Sequence, residues 1–155
     1  MMEPNYDIAV IDRQGSVILA VEAKVKWDTD SEWATQLRRN IAVHGTLPGA
    51  RYYLVALPDR FYLWDHFREA SDQAWLEPKL ATEAGPVLEP YFERIGINTA
   101  SLSAETFEFV LMTWLNDMID ASNAGIALDA ASEWLDRSGL YKILKHSHVV
   151  LPELA

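Results

Sequence analysis

The sequence predicts an α/β fold, with a mixed β-sheet of about four strands flanked by helices and a helical C-terminal third. Two strand-like runs at 6–12 and 16–24 meet at Gln14-Gly15, where glycine supplies the positive φ of a tight hairpin turn. A helical pattern at 29–45 is followed by another strand, RYYLVAL at 51–57, the order of a strand–helix–strand unit. A third observation is the long apolar helix from Ser103 to about Ala121, in which Phe107, Val110, Leu111, Trp114, Leu115 and Met118 share one wide face.

The hairpin is the chemically unusual stretch. Ile8, Val10, Val17, Leu19 and Val21 are expected on one face, and Ala9, Ile11, Ile18 and Ala20 on the other. Both faces are apolar, as in strands covered on two sides. A two-residue turn places Arg13 opposite Ser16 and so Asp7 opposite Glu22, and alternation brings Lys24 to their side. Like charges facing each other across a strand pair are destabilising, the more so when buried. A divalent cation removes the conflict, because hard metals such as Mg²⁺ take one or two carboxylates plus waters and substrate phosphate. Lys24 then stands where it can orient or deprotonate a water, or stabilise a charged transition state. A surface hairpin with ordinary Glu–Lys decoration is the competing reading.

Downstream, Thr29 and Glu32 have capping-box spacing, so the helix is expected to start there and stop at Gly45. Its core stripe is Trp33, Leu37, Ile41 and His44, with Gln36 and Asn40 at the edge and Arg38 and Arg39 turned away. Turns at 47–49 and 58–60 bracket the strand 51–57, and a short strand follows at 61–65. Tyr52, Tyr53, Tyr62 and Trp64 offer either a base-stacking platform or, the favoured reading, sheet packing. The stretch 66–84 reads as loop with a helical turn at 67–75. Gly85-Pro86 breaks it, and a short helix spans 87–94. Asp129 starts a helix ending at Gly139. The tail carries His146 and His148, read as a basic edge strand or terminal segment rather than a metal site.

Composition bounds the answer. The 155 residues suit a single domain, in which 1–65 form the hairpin–helix–strand core and 66–155 a mostly helical extension. Half the residues are hydrophobic and six are Trp, which excludes a disordered chain. Without cysteine there are no disulfides and no thiolate zinc sites. No apolar run approaches the roughly 18 residues of a membrane span, and no signal-peptide pattern opens the chain, so a cytoplasmic protein is expected. The formal charge is −10. Residues 1–60 hold seven basic and eight acidic side chains, leaving the acidic excess downstream. Phosphate neutralisation dominates nucleic-acid affinity, so binding to DNA is expected to be weak.

An Asp at the start of one strand, a hairpin, and Glu-x-Lys on the next resemble the PD-(D/E)XK nuclease superfamily, here on Asp7 and Glu22-Ala23-Lys24. The similarity is closest to nuclease domains of type I restriction enzyme motor subunits, which follow the hairpin with a Gln-bearing helix and a strand. Gln36 and RYYLVALP correspond, and the match covers about residues 4–65. Tyrosine often follows that glutamine by four residues; here the position is Asn40. A helix usually precedes the hairpin and often donates another acid; here six residues lie ahead of Asp7.

The resemblance implies a restriction endonuclease-like sheet and a Mg²⁺- or Mn²⁺-dependent nuclease acting on DNA. Asp7, Glu22 and the Ala23 carbonyl would hold the metal, Lys24 would assist the attacking water, and Gln36 would orient substrate. The alternative is a catalytically inactive nuclease-fold module for interaction or assembly. In it, the apolar helix at 107–118 would contact a second copy or another subunit. A part of a larger restriction-type enzyme is a third possibility.

Overall fold

The structure is a computed structural model that describes residues 6–44, 49–65 and 77–151, with the backbone alone at 41–44. Its strands are β1 (Ile8–Ile11), β2 (Val17–Ala23), β3 (Tyr52–Ala56), β4 (Arg60–Asp65), β5 (Leu80–Glu83) and β6 (His148–Val150). The helices are α1 (Ser31–His44), α2 (Gly85–Ile95), α3 (Ala104–Ala124), α4 (Glu133–Arg137) and α5 (Leu140–Ile143). The strands form one six-stranded mixed sheet, ordered β5-β4-β3-β2-β1-β6. Only the β2–β3 pair, bridged by α1, is parallel. A parallel pair needs such a crossover, whereas β3 and β4 can be joined by a short turn.

The architecture is thus α/β, with two more strands than the sequence suggested. β5 forms inside a stretch that reads as loop, because Leu80 to Glu83 can extend the β3–β4 hairpin by pairing with β4. The tail supplies β6, an edge strand as expected, which pairs antiparallel with β1. The strand carrying Ala9 and Val10 is therefore interior to the sheet.

Helices cover both faces. Ile8, Val10, Leu19, Val21, Tyr52, Leu54, Phe61 and Leu63 meet α2 to α5 on one side. There Phe61 stacks on Trp114 at 5.1 Å between ring centroids, and Trp134 lies 5.3 Å from Phe61. On the other side, Ala20, Tyr53, Val55, Tyr62 and Trp64 meet α1 through Ala34, with Trp33 and Leu37 beside it. Tyr52, Tyr53, Tyr62 and Trp64 are all buried, so the packing reading holds and no stacking platform exists there.

Several local expectations change. The turn is a three-residue loop, Arg13-Gln14-Gly15, closed by the Asp12 N–H donating to the Ser16 carbonyl. Asp12 Oδ1 accepts from the N–H groups of Gln14 and Ser16, each at 2.9 Å, and Gly15 takes φ 83°. A bulge then leaves Ile18 as an extra residue between the pairs Ile11–Val17 and Val10–Leu19. An extra residue swaps faces locally. Ile18 therefore joins the α2–α5 core and Val17 the α1 side, the reverse of the expectation. The N-cap of α1 is Asp30, whose Oδ1 accepts from Trp33 N–H at 2.8 Å, while Thr29 bonds the Tyr62 hydroxyl. Gly85 and Pro86 start α2 instead of breaking the chain, since proline's missing N–H costs nothing in a first turn. Arg38 is buried at 1% exposure, not turned away.

Ser103 caps α3 as expected, accepting from Thr106 N–H. The apolar face of α3 is taken up by the protein's own core: Phe107, Val110, Leu111, Trp114 and Leu115 are buried. That removes the surface on which an interface through this helix was expected. Among the described residues no helix is long and apolar enough to cross a membrane. The turns at 47–49 and 67–75, and the side chains of Ile41 and His44, lie outside what is described.

Gly139 has φ 88°, and a Cβ there would lie 3.0 Å from the Tyr52 hydroxyl, which donates to Ser138 O at 2.7 Å. Gly139→Ala is expected to destabilise the fold by about 1–3 kcal/mol. A lower urea midpoint with unchanged slope checks this, and an unchanged midpoint refutes it.

Candidate functional site at the carboxylate hairpin

The bulge decides where the acids fall. Past it the pairing is Val10–Leu19, Ala9–Ala20 and Ile8–Val21, and Asp7 lies just before β1, where its charge bears on Glu22. Asp7 lies one residue beyond the last of these pairs. Its N–H donates to Val21 O and its carboxylate Oδ2 accepts from Ala23 N–H, both at 2.8 Å. That second bond ties the carboxylate along β2. Ala23 itself turns its methyl to the α2–α5 core.

Glu22 shares a face with Ala20, Tyr53 and Val55, the face that α1 covers. Lys24 anchors its N–H on Ala56 O at 3.0 Å, and its Nζ lies 3.5 Å from Glu22 Oε1. The Glu22 side chain is 21% exposed and Lys24 37%. Burial, then the charge of Asp7, push the Glu22 carboxyl up to about 7; Lys24 opposes this and Glu108 of α3 adds to it. The pair also bears on Tyr53, whose hydroxyl is pushed well up, first by burial and then by Glu22 and Asp7.

Arg38 is the cation on the inward side of α1. Burial lowers its guanidinium to about 10, with Tyr53 acting in the opposite sense. Small side chains explain its position. Ala34 and Ala20, both fully buried, let α1 close on β2, so the helix faces the sheet with Ala34 and Arg38 while Trp33 and Leu37 flank them. A stripe drawn through the bulky residues misses this phase. The small residue at 34, one turn before 38, is the signal that could have found it.

Asp7, Glu22 and Lys24 are thus brought together, and Gln36 is not. Gln36 is exposed on the far side of α1, donating to Asn40 Oδ1 at 3.3 Å and accepting from Arg39 at 3.2 Å. Helical geometry forces this, because a residue two positions from Ala34 and Arg38 lies on the opposite side of the helix. Glu108, which sequence reasoning missed, bears on Glu22 from α3. Eighty-six positions separate them, and nothing local in the sequence links the two.

Two carboxylates in electrostatic range of each other are the donor type that a hard divalent cation retaining several waters takes. Among the described residues, no group of three or more His, Asp or Glu side chains comes together as a fuller cage. Compared with protein-family models, curated proteins and solved structures, the chain matches none.

The raised Glu22 carboxyl has a signed consequence for stability. Between about pH 4.5 and 7 the folded state holds a proton that the unfolded chain releases, so stability falls as pH rises through that window. Glu22→Gln is expected to flatten the decline and to raise stability at pH 8 by on the order of 1–2 kcal/mol, allowing for solvent screening. Urea unfolding at pH 5 and pH 8 measures it. A variant with the wild-type pH dependence would show that Glu22 titrates normally.

Proposed function

We propose that this chain is a metal-dependent nuclease of the PD-(D/E)XK type, with a restriction endonuclease-like sheet. The observation that carries the reading is that Asp7 lies in electrostatic range of Glu22, with Lys24 Nζ 3.5 Å from Glu22 Oε1. Strand, hairpin, helix and parallel strand also follow one another in the order that family shows. Asp7, Glu22 and the Ala23 carbonyl are the residues to hold Mg²⁺ or Mn²⁺. When bound, such a cation polarises the phosphoryl group and acidifies water. Lys24 places an ammonium at the edge of the pair, where it orients the attacking water and faces the negative charge that develops on phosphate. Asp7 is held for its role by Ala23 N–H. Glu108 adds negative charge from α3, downstream of the hairpin, whereas the family's extra acid usually comes from a helix ahead of it. Gln36 has no part in this site, and DNA is the substrate proposed.

A second reading is favoured by specific observations. Gln36 faces solvent, no three His, Asp or Glu side chains come together among the described residues, and the net charge is −10. On that reading the chain is a catalytically inactive module that keeps the fold for assembly, and a partner supplies any affinity for DNA.

Incubation of plasmid and single-stranded DNA with the protein and Mn²⁺ separates the two readings. Cleavage is expected, falling about 100-fold or more in Asp7→Ala, Glu22→Ala and Lys24→Ala. Cleavage that survives all three substitutions sinks the nuclease reading. So does a wild-type protein that neither cuts nor binds Mn²⁺ by calorimetry, and an oligomer in size-exclusion chromatography would then favour the assembly module.

A further inference from the structure

With Tyr52, Tyr53, Tyr62 and Trp64 buried, the Trp and Phe rings left exposed among the described residues are Trp27, at 43%, and Phe109, at 57%. Trp27 belongs to the segment that leaves the carboxylate hairpin, whereas Phe109 is on the side of α3 opposite its buried face. Trp27 follows Lys24 by three residues, where the chain leaves β2, and Phe109 follows Glu108 on α3, the helix that packs against β2. Val25, 38% exposed, lies between the two lysines Lys24 and Lys26.

The segment 24–29 is pinned along its length. Lys24 N–H donates to Ala56 O at 3.0 Å, Asp28 N–H to Asp59 Oδ2 at 3.1 Å, and Thr29 Oγ1 lies 2.8 Å from the Tyr62 hydroxyl. Asp28 has φ 57°, a left-handed conformation that redirects the chain just after Trp27. The Lys26 ammonium sits 5.6 Å over the Trp33 ring. An exposed indole on an anchored segment, with lysines on the same segment, keeps apolar surface in water at a fixed place.

Aromatic faces beside cations are the chemistry that binds an unpaired nucleic-acid strand, with bases stacking on rings and phosphates meeting ammonium groups. A duplex keeps its bases stacked on one another and would have to be held through its phosphates. A protein of charge −10 is poorly equipped for that. Stacking supplies affinity that does not depend on net charge.

We infer that the segment 24–29 takes an unpaired nucleic-acid strand, with Trp27 stacking on a base beside the phosphate at Asp7 and Glu22, and Lys26 meeting a neighbouring phosphate. The inference rests on the nuclease reading for its placement. It narrows the substrate class to single-stranded or locally opened nucleic acid.

Fluorescence anisotropy with a labelled single-stranded oligothymidylate, and with a duplex of equal length, tests it in EDTA at low salt, where no cleavage intervenes. The single strand is expected to bind more tightly than the duplex. Trp27→Ala should weaken single-strand binding about tenfold or more, and Trp27→Phe should retain most of it. Lys26→Ala should reduce the salt slope by about one. The Trp27 side chain is exposed, so circular dichroism should show these variants folded. The inference is overturned if Trp27→Ala binds the single strand as wild type does, if the duplex binds more tightly, or if neither probe binds. Cleavage that persists while Trp27 proves indifferent sinks this inference alone. Trp27-dependent binding without metal-dependent cleavage sinks the nuclease reading alone.

Discussion

Everything at the candidate site depends on the register between β1 and β2. A one-residue slip sends a side chain to the other face of a sheet, so Asp7 comes into electrostatic range of Glu22 only if the residues between them and the turn are counted correctly by the fold itself. Here the count involves two departures that cancel. The loop at Arg13-Gln14-Gly15 is one residue longer than a minimal hairpin turn, and Ile18 is an extra residue in β2. Together they restore the pairing Ile8–Val21. Ile18 and Leu19 can both enter the same core because the bulge bends β2 at that point.

Given that register, the surroundings set the electrostatics. Layers on both faces deprive the hairpin of most of its water, and Ala20 and Ala34 are both buried in the core between α1 and the sheet. In such a setting a second carboxylate beside Glu22 is expensive, and one neighbouring lysine does not offset it. The fold accepts this cost at one end of a sheet whose remaining interior is well packed with Phe61, Trp114 and Trp134. Strain concentrated at one place in an otherwise consistent structure is the usual mark of a functional site. Arg38 and Tyr53 lie on the same face, so the acids look onto a polar floor as well as a greasy one.

The far end of the chain contributes as much as the near end. β6 pairs with β1 and converts the strand leading from Asp7 from an edge into an interior strand. α3 spends its apolar face on the core and brings Glu108 into electrostatic range of Glu22. A description confined to the first sixty-five residues would therefore leave out part of the site's environment.

Much of this was legible without coordinates. Alternation, turn glycines and helical spacing in the chain determined the α/β class, the hairpin, the order of β2, α1, β3 and β4, and the capped helix at Ser103, because these follow from periodicities within a few residues of one another. Tertiary packing decided the rest. The phase of α1 depended on which small residues let it approach the sheet, which brought Arg38 inward and left Gln36 in solvent. β5 and β6 exist because the sheet had edges to extend, and the coupling of Glu108 to Glu22 arises from a contact between segments more than eighty residues apart. Periodicity along a chain carries no information about such distant pairings, which are settled only when the layers close on one another.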